Sequence, residues 1–149
     1  MANYNGCART NYFHVTDEEK YKKLYKGLVG TDDEIISFDQ NDKDGKPLHG
    51  FGSYGTIYWS PSKAEDNPDW LDNDDTDGFD DFLQQIKTIL PDNEAFVIIE
   101  TGHEKLRYLV GFATIVTNKD IQYIDLTNIT EKVAGNMLQK LDYKLEIEY

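Results

Sequence analysis

The sequence predicts an α+β fold, a mainly antiparallel sheet with about three packed helices, and three observations carry that expectation. Strand-like segments follow one another across short links, three segments place apolar residues at helical spacing behind capping residues, and 149 residues is the length of one domain. A chain of this size buries about two-thirds of its unfolded surface, so its core needs neither disulfides nor a structural metal. The expected order is β-α-β-β-β-α-β-β-β-α-β within a single domain, residues 1–149, with a long acidic loop at 60–77.

Ala8 to Val15 (ARTNYFHV) carries aromatic and β-branched residues and reads as the first strand. Thr16 and Glu19 form a capping box, each side chain serving a free amide at a helix start. Behind it Tyr21, Leu24, Tyr25 and Leu28 recur at i, i+3, i+4 and i+7, one stripe facing a core, and Gly30 suits the stop. Glu34 to Asp39 (EIISFD) reads as a short strand. Asn41 to Gly45 is a turn whose Asp44-Gly45 pair supplies positive φ for a tight hairpin. Thr56 to Trp59 (TIYW) is again a strand.

Asp77 caps a second helix from Gly78 to Leu90, with Phe79, Phe82, Leu83, Ile86, Ile89 and Leu90 on its buried face and Pro91 ending it. Glu94 to Thr101, Leu106 to Thr117 and Ile121 to Leu126 read as consecutive strands, the long apolar middle one as a central strand covered on both faces. Asn128 and Glu131 form a further capping box for a helix presenting Ile129, Val133, Met137, Leu138 and Leu141, with Gly135 as an internal weakness. Tyr143 to Tyr149 (YKLEIEY) alternates by two and closes the chain as a strand.

Charge is the most informative feature. The chain has 28 Asp and Glu against 15 Lys and Arg, a formal net charge of −13. Glu65 to Asp81 holds nine acids and no base, and Thr31 to Asp44 holds six acids and one base; they contribute −9 and −5, leaving 13 acids and 14 bases elsewhere. A nearly neutral domain therefore carries two acidic blocks. Such charge disfavours direct binding to nucleic-acid phosphates and adsorption to anionic membranes. No apolar run approaches the ~18–20 residues of a membrane span. The N-terminus lacks a signal-peptide stretch, and the lone Cys7 suits a reducing cytoplasm, the expected location.

The remaining motifs are weak. Gly50-Phe51-Gly52-Ser53-Tyr54-Gly55 matches GxGxxG, but a strand follows where a dinucleotide site needs a helix, and no kinase HRD or DFG triplet exists; a strand-flanking loop with close backbone contacts is the expectation. Asn73, Asp75 and Asp77 resemble half a calcium loop, yet position twelve is Gln84 and no helix enters. Glu100, His103 and Glu104 cluster between strands without HExxH or paired-His spacing, and no GxSxG elbow accompanies Cys7. The expectation is no enzyme, no cofactor and no metal.

The runs Cys7-Ala8-Arg9-Thr10-Asn11-Tyr12-Phe13, His49-Gly50-Phe51-Gly52-Ser53-Tyr54-Gly55 and Gly102-His103-Glu104-Lys105-Leu106-Arg107-Tyr108 span most of the chain. With them the sequence resembles small acidic accessory proteins of phages, plasmids and conjugative elements of low-GC Gram-positive bacteria. The resemblance implies an inhibitor of host defence, of the anti-CRISPR or anti-restriction kind, some of which are acidic DNA mimics. The expected partner is thus a basic nucleic-acid-binding protein, a CRISPR effector nuclease foremost. Asp66, Asp69, Asp72, Asp74, Asp75, Asp77, Asp80 and Asp81 would stand in for phosphates, and Trp70 would be a desolvated anchor. The alternative is a mobile-element protein–protein interaction module using the aromatic Gly-rich face near Phe51, Tyr54, Tyr58 and Trp59, with the acidic loop serving only solubility.

Overall fold

The computed structural model describes residues 5–31, 34–60, 63 and 78–145. In chain order the strands are β1 (Asn5–Thr10), β2 (Leu28–Gly30), β3 (Ile36–Ser37), β4 (Gln40–Asn41), β5 (Pro47–Leu48), β6 (Phe51–Tyr54), β7 (Ile57–Trp59), β8 (Phe96–Glu104), β9 (Arg107–Val116) and β10 (Ile121–Asp125). The helices are α1 (Glu18–Lys26), α2 (Phe79–Thr88) and α3 (Leu126–Leu138). The class is α+β, as the short links between strands predict. A six-stranded antiparallel sheet runs β10-β9-β8-β1-β6-β3, joined by the two-stranded ribbons β2-β7 and β4-β5.

Side-chain alternation gives the sheet two unlike faces. Ala8 pairs with both Glu100 and Ser53, and Ile98 pairs with Thr10 and Thr114, so these residues share one face. On that side Phe96, Ile98, Val116 and Phe51 meet Tyr21 and Leu24 of α1 and Phe82, Leu83 and Ile86 of α2 in one buried core. Rings dominate it: Phe13 and Phe96 stand edge to face at 5.0 Å, Phe13 and Tyr21 at 5.6 Å, and Phe51 and Phe82 at 6.0 Å. Edge-to-face contacts of this kind add about 0.5–1.5 kcal/mol each beyond the area they bury. The periodic stripes of α1 and α2 therefore face the core as expected.

Several boundaries fall differently. The first strand starts at Asn5 and ends at Thr10, because Asn11 then bonds with its side chain to Ala95 O and Val97 N–H; Phe13 survives as a single bridge to His49. Asp17, not Thr16, caps α1 by accepting from Lys20 N–H at 3.0 Å, while the Thr16 N–H goes to Ile89 O. α1 stops at Gly27 rather than Gly30, and the Trp59 indole occupies the space a Cβ at Gly27 would need. The Asn41–Gly45 turn forms as its composition predicts: Gly45 has φ 79°, and Asp42 accepts from the N–H groups of Asp44 and Lys46.

The expected cap of α2, Asp77, lies outside the described residues, and Gly78 takes the N-cap position without a side-chain bond. Asp125 rather than Asn128 caps α3, accepting from the N–H groups of Thr127 and Asn128, whereas Glu131 accepts from Leu145 N–H. Gly135 has a positive reason to be there. A Cβ on it would stand 2.6 Å from Lys140 O, and the chain after α3 folds back across that gap with Lys140 N–H donating to Gly135 O. The closing strand expected at 143–149 has no regular structure over 143–145, and 146–149 lie outside the described residues.

Two expectations about coverage are corrected. β9 is not sheathed on both faces, for Leu109, Val110 and Phe112 are exposed. The stripe of α3 does not face a core either: Ile129, Val133, Met137, Leu138 and Leu141 are all exposed, so only two of the three helices pack in the expected sense.

Candidate functional site

The acidic segment begins and ends at one place. Trp59 is fully buried, donates from Nε1 to Leu24 O at 2.8 Å, and its own carbonyl accepts from Gly78 N–H at 3.2 Å. Ser60 N–H bonds to Gly27 O at 2.8 Å. The chain thus leaves the core at Trp59 and re-enters beside it at Gly78. Of the expected contact residues, Asp80 and Asp81 are described. Both are exposed in the first turn of α2, where the free N–H groups of the helix favour negative charge. Asp66, Asp69, Trp70, Asp72, Asp74, Asp75 and Asp77 lie outside the described residues.

Two acids of the second block, Asp39 and Asp42, each face a histidine. His14 sits between strands of chain far apart in sequence, with Nδ1 3.0 Å from Glu94 Oε1 and Nε2 2.8 Å from Asp42 Oδ2. Both ring nitrogens face carboxylates, an arrangement that favours the doubly protonated imidazolium. The bond to Glu94 foremost, and that to Asp42 next, hold its pKa above the ordinary 6.5. Asp42 in turn is held below the usual carboxylate range, by the Lys46 N–H first and His14 second. The clamp ties the β4-β5 hairpin to the loop entering β8. His14, Glu18, Asp42, Asp44, Lys46 and Glu94 then line a shallow cleft of about 440 Å³.

His49 forms a deeper counterpart. Its ring is buried, lies tilted against Tyr21 at 4.2 Å between ring centres, and places Nε2 2.8 Å from Glu18 Oε1. Its Nδ1 lies 3.1 Å from Asp39 Oδ2 but off the hydrogen-bonding direction, and the Tyr21 hydroxyl beside it is likewise buried without a bond. Burial pushes that hydroxyl far above the ordinary tyrosine range, so it stays neutral. Sequence reasoning missed both arrangements. The partners of His14 are 28 and 80 residues away and that of His49 is 31 away, separations at which no local spacing rule operates.

The glycine-rich motif is structural. Gly52 lies in β6 where a Cβ would stand 2.7 Å from Ala8 O, and Gly55 turns the chain with φ 119° between β6 and β7. Its aromatic neighbours do not form a common face, because Phe51 and Trp59 are core residues and only Tyr54 is well exposed. Of the four aromatics named for an interaction face, Phe51 and Trp59 are therefore not available at the surface. Glu100 and His103 lie three residues apart on β8, whose register against β1 is regular through His103, so they point to opposite faces. Among the described residues no group of three or more His, Cys, Asp or Glu side chains is arranged to hold a metal ion. The segment with calcium-loop spacing lies outside the described residues up to Asp77.

No protein-family model, curated protein or solved structure matches this chain. Among the described residues no helix is long and apolar enough to cross a membrane.

Proposed function

We propose that the protein is a non-enzymatic inhibitor that occupies a cationic, polynucleotide-binding groove of a host-defence nuclease, with a CRISPR effector as the foremost target. One observation carries the reading: two blocks, residues 31–44 and 65–81, hold a net −14 of the chain's −13, on a body that is otherwise close to neutral. Clustered carboxylates release the counterions of a basic groove as phosphates do, and they need no sequence to be read. The seating of the 60–77 segment on Trp59 and Gly78 supports this, since a charged segment anchored at both ends loses less entropy on docking than a free tail. The exposed Asp80 and Asp81 extend the charge onto a helix.

The test is DNA cleavage by a purified effector nuclease titrated with the protein. Inhibition should weaken by on the order of 10³-fold between about 50 and 200 mM salt, the behaviour of a contact made through several charge pairs. Changing Asp72, Asp74, Asp75 and Asp77 together to Asn should abolish inhibition at an unchanged melting temperature. Full inhibition by that quadruple variant overturns the proposal.

A further inference from the structure

Two of the sequence motifs, CARTNYF over 7–13 and HGFGSYG over 49–55, come together in the sheet, and the acidic reading uses neither. Arg9 of β1 pairs with Gly52 of β6 and with Ile99 of β8, and Gly52 pairs in turn with Ile36 of β3. Cross-strand partners share a face, so Ile36, Gly52, Arg9 and Ile99 form one row on the side of the sheet opposite Ala8 and the core. Rings hold the middle of that row. The Arg9 guanidinium carbon lies over the Phe38 ring, 4.2 Å from its centre, and 5.9 Å from the centre of the Tyr12 ring. Both distances are within cation–π range. The glycines leave space for the rings: a Cβ on Gly52 would stand 2.7 Å from Ala8 O and 3.4 Å from Phe38 Cε2, and one on Gly50 would stand 3.3 Å from Tyr12 Cδ1. The Phe38 N–H, donating to Gly50 O at 2.7 Å, fixes the base of its side chain.

What the rings leave free selects the occupant. Among the described residues the guanidinium makes no hydrogen bond or ion pair, in a chain with 28 Asp and Glu. Arg9, Tyr12, Ile36 and Ile99 are all exposed. A guanidinium lying over a ring keeps its in-plane N–H groups for a partner, and two of them side by side match the two oxygens of a carboxylate. A phosphate fits the same fork, but a polyphosphate or polynucleotide meets the repulsion of a net −13, as does a second copy of the chain. A single carboxylate on an otherwise uncharged segment meets little of it. Ile36 and Ile99 flank the fork with apolar surface, which suits apolar side chains on either side of that carboxylate. Arginine among aromatic and aliphatic contacts is the composition of an interface hot spot. We infer that Arg9, held by Phe38 and Tyr12, anchors a protein-docking surface that takes an Asp or Glu side chain flanked by apolar residues in a peptide segment of a partner protein. The inference stands apart from the proposed inhibition, which uses other residues and the opposite charge.

The probe is an end-blocked Leu-Glu-Leu tripeptide, with Leu-Gln-Leu as its uncharged twin. Each is titrated into the full chain while NMR follows the Arg9 Nε–H and the backbone N–H groups of Gly52 and Ile99. The glutamate peptide should shift these resonances saturably, with a dissociation constant in the low millimolar range. The glutamine peptide should bind about 10-fold more weakly, the loss of a charge-assisted pair. Arg9→Lys keeps the charge without the planar fork and should also lose about 10-fold. Phe38→Leu leaves Arg9 in place but frees its guanidinium, so affinity should fall several-fold; the fluorescence of buried Trp59 reports whether each variant keeps its core. No saturable shift up to about 20 mM glutamate peptide overturns the inference. Equal binding of the two peptides overturns it as well, and so does an Arg9→Lys chain that binds like the wild type. Tighter binding of inorganic phosphate than of the glutamate peptide does the same, since it would make the fork a phosphate site. The Asp→Asn changes that test the acidic segment should not weaken peptide binding, so either proposal can fail alone.

Discussion

Trp59 shows how much one residue settles. Its indole fills the space above Gly27, bonds to the last turn of α1 and sets the point where the acidic segment departs. Gly27→Ala would drive a methyl group into the ring, so a loss of about 1–3 kcal/mol is expected, measurable as a lower urea midpoint at constant slope. His14 makes a second prediction. Its pKa is raised in the folded chain, so its stabilising effect is complete below the unfolded value of 6.5 and is lost as pH rises through the higher folded value. Asp42 acts in the other direction, contributing above its ordinary 3.8 and losing that contribution as pH falls through a lower folded value. The clamp is therefore strongest between about pH 4 and 6.5. The melting temperature of the wild type should exceed that of His14→Gln in this window, and the gap should narrow as pH rises beyond it. An equal gap at pH 5.5 and 8.5 would remove the clamp from the account. Neither Trp59 nor His14 was readable as such in the sequence: a tryptophan at a strand end signals burial, but not which glycine it lies on.

At the level of elements, the legible part was periodicity. Tyr21, Leu24 and Leu28, and likewise Phe82, Leu83 and Ile86, announce their buried faces because spacing and core geometry agree. Ile129, Val133 and Met137 have the same spacing in α3, yet the stripe looks outward. Periodicity says that a face wants covering and is silent about whether the cover comes from the same chain. Caps were displaced by one to three residues for a similar reason: Thr16, Asp17, Asp125 and Asn128 are all competent, and tertiary demands on Thr16 N–H and on Glu131 decide among them. Asp125→Ala removes bonds to two backbone N–H groups and should cost about 1 kcal/mol. Because α3 joins the rest through few packed residues, amide exchange should rise within residues 126–138 and stay unchanged in β8. Uniform acceleration across the sheet would show that α3 is not a separate unit of opening.

For the whole molecule, charge segregation was fully legible, since it needs only counting, while the seating of the acidic segment was not. That seating depends on Gly78 returning to Trp59 across residues that no pattern pairs. Binding through the acidic blocks should therefore weaken as salt rises, which a titration of ionic strength reads directly.

The position of β1 bears on how the chain folds. This segment is flanked in the sheet by β6 and β8, and Cys7 meets Thr101 across 94 residues. The seam joining the two halves of the sheet closes only when these distant segments meet, with Ala8 and Thr10 left wet until Ile98 arrives. Closure between partners so distant in sequence places this fold toward the slow end for a small domain.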